Sequence, residues 1–360
     1  MRLNLITKSW NTYFLSSKYL QSRINFNEGV QLNYYGDILF YFKDTLELLK
    51  VNKELSKDFG CKVFYAIGLL QIIFVQQDLI DELLSIFSIT CSSKKDKNPN
   101  RRIRNELIGH PINREAGKLQ SSSIFGNDLS ENILNYIKYD VADGFIGNSF
   151  SETYESIINR HINYLDKYFE IIWSKILSLL KKYKVKLLNL ENAIINDLEL
   201  EKVVELCALR INKVLESNYL FKKEIILECN DRKKEHLRYS HAVELFMNEL
   251  KTAIKEESQN INKILISKIT DNINGINSEN DIVIKLEELN IDIIEKNNNY
   301  SYELSKLHDR HPVFGISFFK DKYIENKDVI EELINMEQNP NSDLEYYCSF
   351  ELIKRNLLNN

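Results

Sequence analysis

The feature that most constrains this chain is a stretch from Glu152 to about Lys186 in which apolar residues return every three or four positions. Tyr154, Ile157, Ile158, Tyr164, Leu165, Tyr168, Ile171, Ile172 and Trp173 mark it. That period is the face of a helix, and a strand would need alternation instead. Two earlier stretches share it. Gln31 to Lys50 places Tyr35, Ile38, Leu39, Phe42, Leu46 and Leu49 on one stripe. Lys62 to Ser88 carries a broader apolar surface through Phe64, Ile67, Leu70, Ile73, Phe74, Leu83 and Leu84, wide enough for burial against several neighbours or for a dimer interface. Only four Pro and eleven Gly interrupt the 360 residues. Long helices follow from that scarcity, and the fold class expected is all-α.

An N-terminal bundle over residues 1–186 and a C-terminal helical region over 187–360 divide the chain. In the first, the aromatic-rich residues 1 to 30 read as an arm covering the core, and the three long helices close a four-helix core. In the second, helices are expected at Leu198–Cys229, His236–Glu257, Ile261–Ile276 and Ile282–Lys296, separated by polar breaks. Between the regular segments, Ile112 to Phe150 holds several Gly and alternating Ile133, Tyr136 and Tyr139, consistent with irregular structure or a small hairpin.

A formal net charge of −5 is too mild to attract nucleic acid globally, so such binding needs a local basic patch. The five cysteines are scattered and lack the short paired spacing of a zinc or redox site, which fits a reducing cytoplasm. No signal peptide or membrane span is expected, since the longest apolar run, Ile67 to Val75, is broken by Gln71. Glycine-rich phosphate loops, dinucleotide fingerprints, nucleophile elbows and the carboxylate sets of metal nucleases are absent from the sequence.

Chemistry concentrates in RRIRNELIGHPINR, residues 101 to 114. On a continuous helix Arg104 and His110 would point roughly 240° apart. Gly109 and Pro111 end the helix there, so His110 falls just past the last turn and a long arginine can reach the same pocket. A histidine ring titrates near working pH and suits proton transfer. A guanidinium keeps its charge and matches phosphate oxygens, which makes Arg104 a clamp for phosphate or an oxyanion. Asn105 can orient either. Upstream, Ser92 to Arg102 reads as a polar, Pro-containing loop. Its Lys94, Lys95, Lys97, Arg101 and Arg102, with Arg114 downstream, form a basic patch able to neutralise the phosphates of a nucleic acid that approaches the motif.

Other candidates have plainer explanations. Asp78, Asp81 and Glu82 form a carboxylate cluster better read as a charged face. His161 lies on an apolar stripe, where a core histidine is the ordinary case. The Lys181 to Lys186 run, which includes Tyr183, suits contact with a nucleic-acid backbone and the cationic end of a helix equally well. His236, Arg238 and His241 lack zinc-ligand spacing, as do His308, Arg310 and His311, and His311-Pro312 reads as a turn.

Arg104, Asn105 and His110, following two long amphipathic helices, resemble the HEPN superfamily, whose signature is an Arg, a polar residue, a few variable positions and a His. The resemblance covers residues 30 to 185 at the level of helix order and three residues at the level of the motif. It implies a small helical bundle acting as a metal-independent endoribonuclease without cofactor, built as a homodimer with both motifs in one cleft. It also implies antiphage defence or toxin action, with an antitoxin or defence partner. The alternatives are a non-catalytic RNA-binding protein and a helical adaptor of a defence assembly.

Overall fold

The computed structural model describes residues 2–27, 34–50, 58–91, 93–114, 119–124, 132–141, 144, 146–273, 301–311, 315–323 and 325–358. The helix expected at Ile282–Lys296, together with Gly117, Gly126 and Pro312, lies outside them. Helices dominate, with one small sheet. The chain forms two compact units, one of Met1–Leu15 and Tyr19–Leu180, the other of Ser16–Lys18 and Lys181–Asn360.

In the first unit, α1 (Leu3–Ser9), α2 (Tyr34–Leu46), α3 (Phe59–Ile86), α4 (Lys94–Arg104) and the start of α5 (Tyr154–Ile195) surround an aromatic core. Trp10 stacks on Tyr35 with centroids 3.7 Å apart, and Phe87 meets both edge-on. Phe42 packs against Phe169. Asp58 caps α3, accepting from the Cys61 amide at 2.9 Å. The far end of α3 closes through Ser88 in the left-handed region, φ 51°, with the Ile89 amide donating to Leu84 and that of Ser88 to Ser85. Asp197 and Arg310 end their helices the same way, at φ 54° and 56°. A chain with eleven Gly thus sets ordinary residues where glycine is usual.

Among the described residues, α3 is the one helix long and apolar enough to cross a membrane by length and composition. It buries Leu69, Leu70, Ile73, Ile80, Leu83 and Leu84 in the unit's core and leaves Phe64 and Ile67 exposed.

Four strands, β1 (Ile112–Asn113), β2 (Gln120–Ile124), β3 (Ile133–Asp140) and β4 (Gly147–Thr153), pair antiparallel in that spatial order. Leu134 and Tyr136 alternate inward along β3, and Tyr136 stacks on its cross-strand partner Phe150 at 5.0 Å. A Cβ at Gly147 would lie 2.6 Å from Ile137 Cδ1 and 2.9 Å from the Tyr139 ring, so any larger residue there would displace those side chains.

In the second unit, α6 (Leu200–Arg210), α7 (Lys223–Arg232), α8 (Leu237–Ile273), α9 (Ser301–His308), α10 (Ile316–Lys322), α11 (Lys327–Gln338) and α12 (Asp343–Leu358) bury Val203, Phe246, Leu250, Leu333 and Ile353. The two helices expected at His236–Glu257 and Ile261–Ile276 are one, α8. The supposed polar break, residues 258–260, is partly interior, since Ser258 is buried beside Glu257, itself buried and paired with Lys213 at 2.7 Å. Glu345 gathers the Tyr239 hydroxyl, Arg232 and Asn335. Those donors hold its carboxyl below the usual range against the opposing effect of burial.

Candidate functional site

The stretch read as a basic loop, residues 92–102, is helical from Lys94 onward, with Pro99 inside α4. The period that makes it a helix is present but polar: Ser93, Lys97, Asn100 and Ile103 are the buried positions. Polar groups of α3 satisfy that face in antiparallel order. Lys97 and the Ser93 hydroxyl both bind Asp81, the latter at 2.6 Å. Arg101 pairs with Asp78 and donates to Gln77. Arg104 donates to Gln71. From the other side, Asn100 donates to the Ile157 carbonyl of α5 and accepts from Arg160 at 2.6 and 2.8 Å. Asp78 and Asp81 of α3 are therefore helix clamps.

Beyond Arg104 the chain widens into one π turn, Asn105–Gly109, closed by the His110 amide donating to the Asn105 carbonyl at 2.7 Å. Pro111 follows, and His110 leaves the turn at φ −140°, ψ 61°, with its side chain exposed. Its ring has no hydrogen-bond partner among the described residues.

Arg104 is seated firmly. Its guanidinium lies over the Phe74 ring at 4.1 Å, Nε and Nη2 donate to Gln71 Oε1 at 3.3 and 3.1 Å, and Nη1 donates to Asn105 Oδ1 at 3.2 Å. Gly109 backs it so closely that a Cβ would lie 2.6 Å from Nη1. Three of the five N–H donors of the guanidinium are thus engaged, and one remains on each terminal nitrogen. The structure joins Arg104 to Asn105 by a hydrogen bond and ties His110 to Asn105 through the backbone. It makes no hydrogen bond between the Arg104 and His110 side chains.

The remaining basic residues divide. Lys97 is buried and Arg101 half-buried, and both are ion-paired into the fold. Lys95, Arg102 and Arg114 are exposed. The side chain of Lys94 lies outside the described residues.

Sequence reasoning passed over Glu106, inside the motif. Its carboxylate accepts from the Tyr136 hydroxyl at 2.8 Å and from Lys138 at 3.1 Å, fastening β3 to the π turn. Burial, then the Glu106 bond, pushes the Tyr136 pKa well up. No spacing rule marks this residue; its two partners lie some thirty positions away.

His161 is fully buried and makes a 2.7 Å bond from Nε2 to Gln76 Oε1. Burial lowers its pKa to about 3. In the second unit, His236 sits against Glu331 and Glu332, and His308 against Asp309 and the Tyr347 ring. Among the described residues no three His, Cys, Asp or Glu side chains gather in a way that could hold a metal ion.

A groove of about 650 Å³ opens beside Asn105, walled by Asp81, Lys97, Asn98 and Arg101. The chain matches no protein-family model, no curated protein and no solved structure.

Proposed function

We propose that the chain is a metal-independent endoribonuclease of HEPN type, with Arg104, Asn105 and His110 as its site. The observation that supports this best is the Arg104 seat, a half-buried guanidinium fixed by Phe74, Gln71 and Gly109 with two N–H donors left for a phosphate. His110, exposed and unbonded one wide turn on, takes the proton from a ribose 2′-hydroxyl. The 2′-oxygen attacks the adjacent phosphorus, the bond to the 5′-oxygen breaks, and a proton is returned to that leaving oxygen. Arg104 offsets the charge that builds on the phosphorane oxygens. Lys95, Arg102 and Arg114 supply the exposed positive charge that holds RNA. By the resemblance carried on the three motif residues, the setting is antiphage defence or toxin action in the cytoplasm. The working form is then a homodimer.

A non-catalytic RNA-binding or adaptor role is the second reading. It is favoured by the three Arg104 donors already spent within the fold. Incubating total RNA in chelator with wild type, Arg104→Ala and His110→Ala separates the two. The ribonuclease reading expects cyclic-phosphate or 3′-phosphate ends from wild type and loss of cutting in both variants. Cutting that survives either substitution, or no cutting of any RNA, turns the assignment to the second reading.

A further inference from the structure

We propose that the groove beside Asn105 binds an unpaired nucleobase of the RNA, next to the phosphate held at Arg104. This rests on the site assigned above and names the feature of the substrate that it reads. The groove's size, about 650 Å³, falls in the range of roughly 300–1,000 Å³ typical of small-ligand sites.

Charge decides which part of a nucleotide enters. Lys97 and Arg101 both line the groove, yet each is bound to a carboxylate of α3, Asp81 and Asp78. The net charge of these four groups is zero, so a phosphate gains little there and loses its hydration. The two open donors of Arg104 are the better anion site. A nucleobase is flat, neutral and edged with donors and acceptors, and the lining matches it. Ile89, partly exposed over the buried Leu84, gives an aliphatic surface for the ring face.

Two amides give the edge. The exposed side chain of Asn98 has no hydrogen-bond partner among the described residues, so its donor and acceptor are both open. Asn105 has its Oδ1 on Arg104, which leaves its Nδ2 hydrogens for the groove. An amide presenting both functions is the side chain that pairs with base edges, and single-stranded RNA offers those edges unpaired. Asn105 therefore touches both the phosphate clamp and the base groove, which sets the two side by side.

The test uses the full chain and the four ribonucleosides, followed by saturation-transfer NMR, with ribose 5-phosphate as a probe that lacks a base. Ser85→Trp fills the groove from an exposed lining position on α3, and Asn98→Ala removes one amide. A circular-dichroism urea midpoint confirms that each variant folds. At least one nucleoside should give a signal that falls fivefold or more in Ser85→Trp and about threefold in Asn98→Ala, while ribose 5-phosphate gives none that depends on residue 85. No nucleoside signal, or an equal one in Ser85→Trp, overturns the proposal. Sequenced cleavage ends separate it from the parent reading. Nucleoside binding without cleavage keeps the groove and rejects the nuclease. Cleavage without nucleoside binding or base preference at the flanking nucleotide does the reverse.

Discussion

His161 should make the first unit acid-sensitive by a definite amount. Gln76 Nε2 donates to the Thr45 hydroxyl at 2.7 Å, so its Oε1 faces His161 and fixes the ring as the Nε2–H tautomer. The other nitrogen, Nδ1, is buried without a partner, and protonating it would create an uncompensated interior charge. The folded pKa is held at about 3 against 6.5 for the free side chain. The neutral form is therefore favoured by folding. Its stabilising contribution is complete above pH 6.5 and is lost as pH falls from there toward 3. Linkage gives a loss of about 2 kcal/mol between pH 7 and pH 5, and this figure barely changes if the folded value is one unit higher. Both tryptophans, Trp10 and Trp173, are buried in the first unit, so urea melts followed by tryptophan fluorescence report that unit. His161→Gln keeps an N–H donor for Gln76 and removes the titrating ring. Wild type should lose about 2 kcal/mol more than this variant between the two pH values. Equal losses, or a ring that titrates near 6.5 by NMR, would refute the reasoning.

Further substitutions probe the clamp and the helix ends. Asp81→Ala strips the buried Lys97 of its anion and should destabilise by about 2 kcal/mol, less than for a fully buried pair because Asp81 is half-exposed. Lys97→Met, measured by the same melts, should change little, because it leaves no buried charge alone; a large loss would show that the attraction of the pair, and not the stranded lysine, sets the cost of Asp81→Ala. Gly109→Ala pushes the end of the Arg104 side chain out of its seat at little cost in stability. On the ribonuclease reading it should cut RNA at least tenfold more slowly, and full activity would show that the seat is irrelevant. Asp197→Gly removes a left-handed non-glycine residue and should stabilise the second unit by about 1 kcal/mol in calorimetry, whereas a lower melting temperature would contradict the cap assignment. A thiol reagent should modify Cys61 and Cys91 quickly and reach Cys207, Cys229 and Cys348 only on unfolding, since those three are buried and Cys207 is pushed up to about 12.

The helices legible in the sequence were those whose buried stripe is apolar. Tyr35 to Phe42, Leu69 to Leu84 and Ile157 to Ile176 repeat at the helical period, and each became a core helix. Helix α4 escaped because its buried stripe is Ser93, Lys97 and Asn100, acceptable inside only because α3 and α5 carry matching polar groups. Partner identity is a tertiary fact, invisible to a local pattern. The same holds for Glu257, where a helix end was expected and which is a buried ion-pair partner within a continuous helix. At the candidate site, Arg104 and His110 are singled out by residue type and the Gly-His-Pro stop. The supports Phe74, Gln71 and Glu106 are not, since their contacts with the motif or the sheet span some thirty positions.

The π turn at Asn105–Gly109 also bears on how this stretch tolerates gain or loss of residues. Its closing bond skips four residues, where a regular helix would skip three. Deleting Leu107 or Ile108 would retain Arg104, Asn105, Gly109 and His110, yet a tight α turn would then set His110 over Asn105 with one fewer residue to bulge around the guanidinium. Adding a residue would carry the histidine away from that position altogether. The interval between arginine and histidine is thus part of the site's construction, a length held by backbone geometry as firmly as the side chains are held by their contacts.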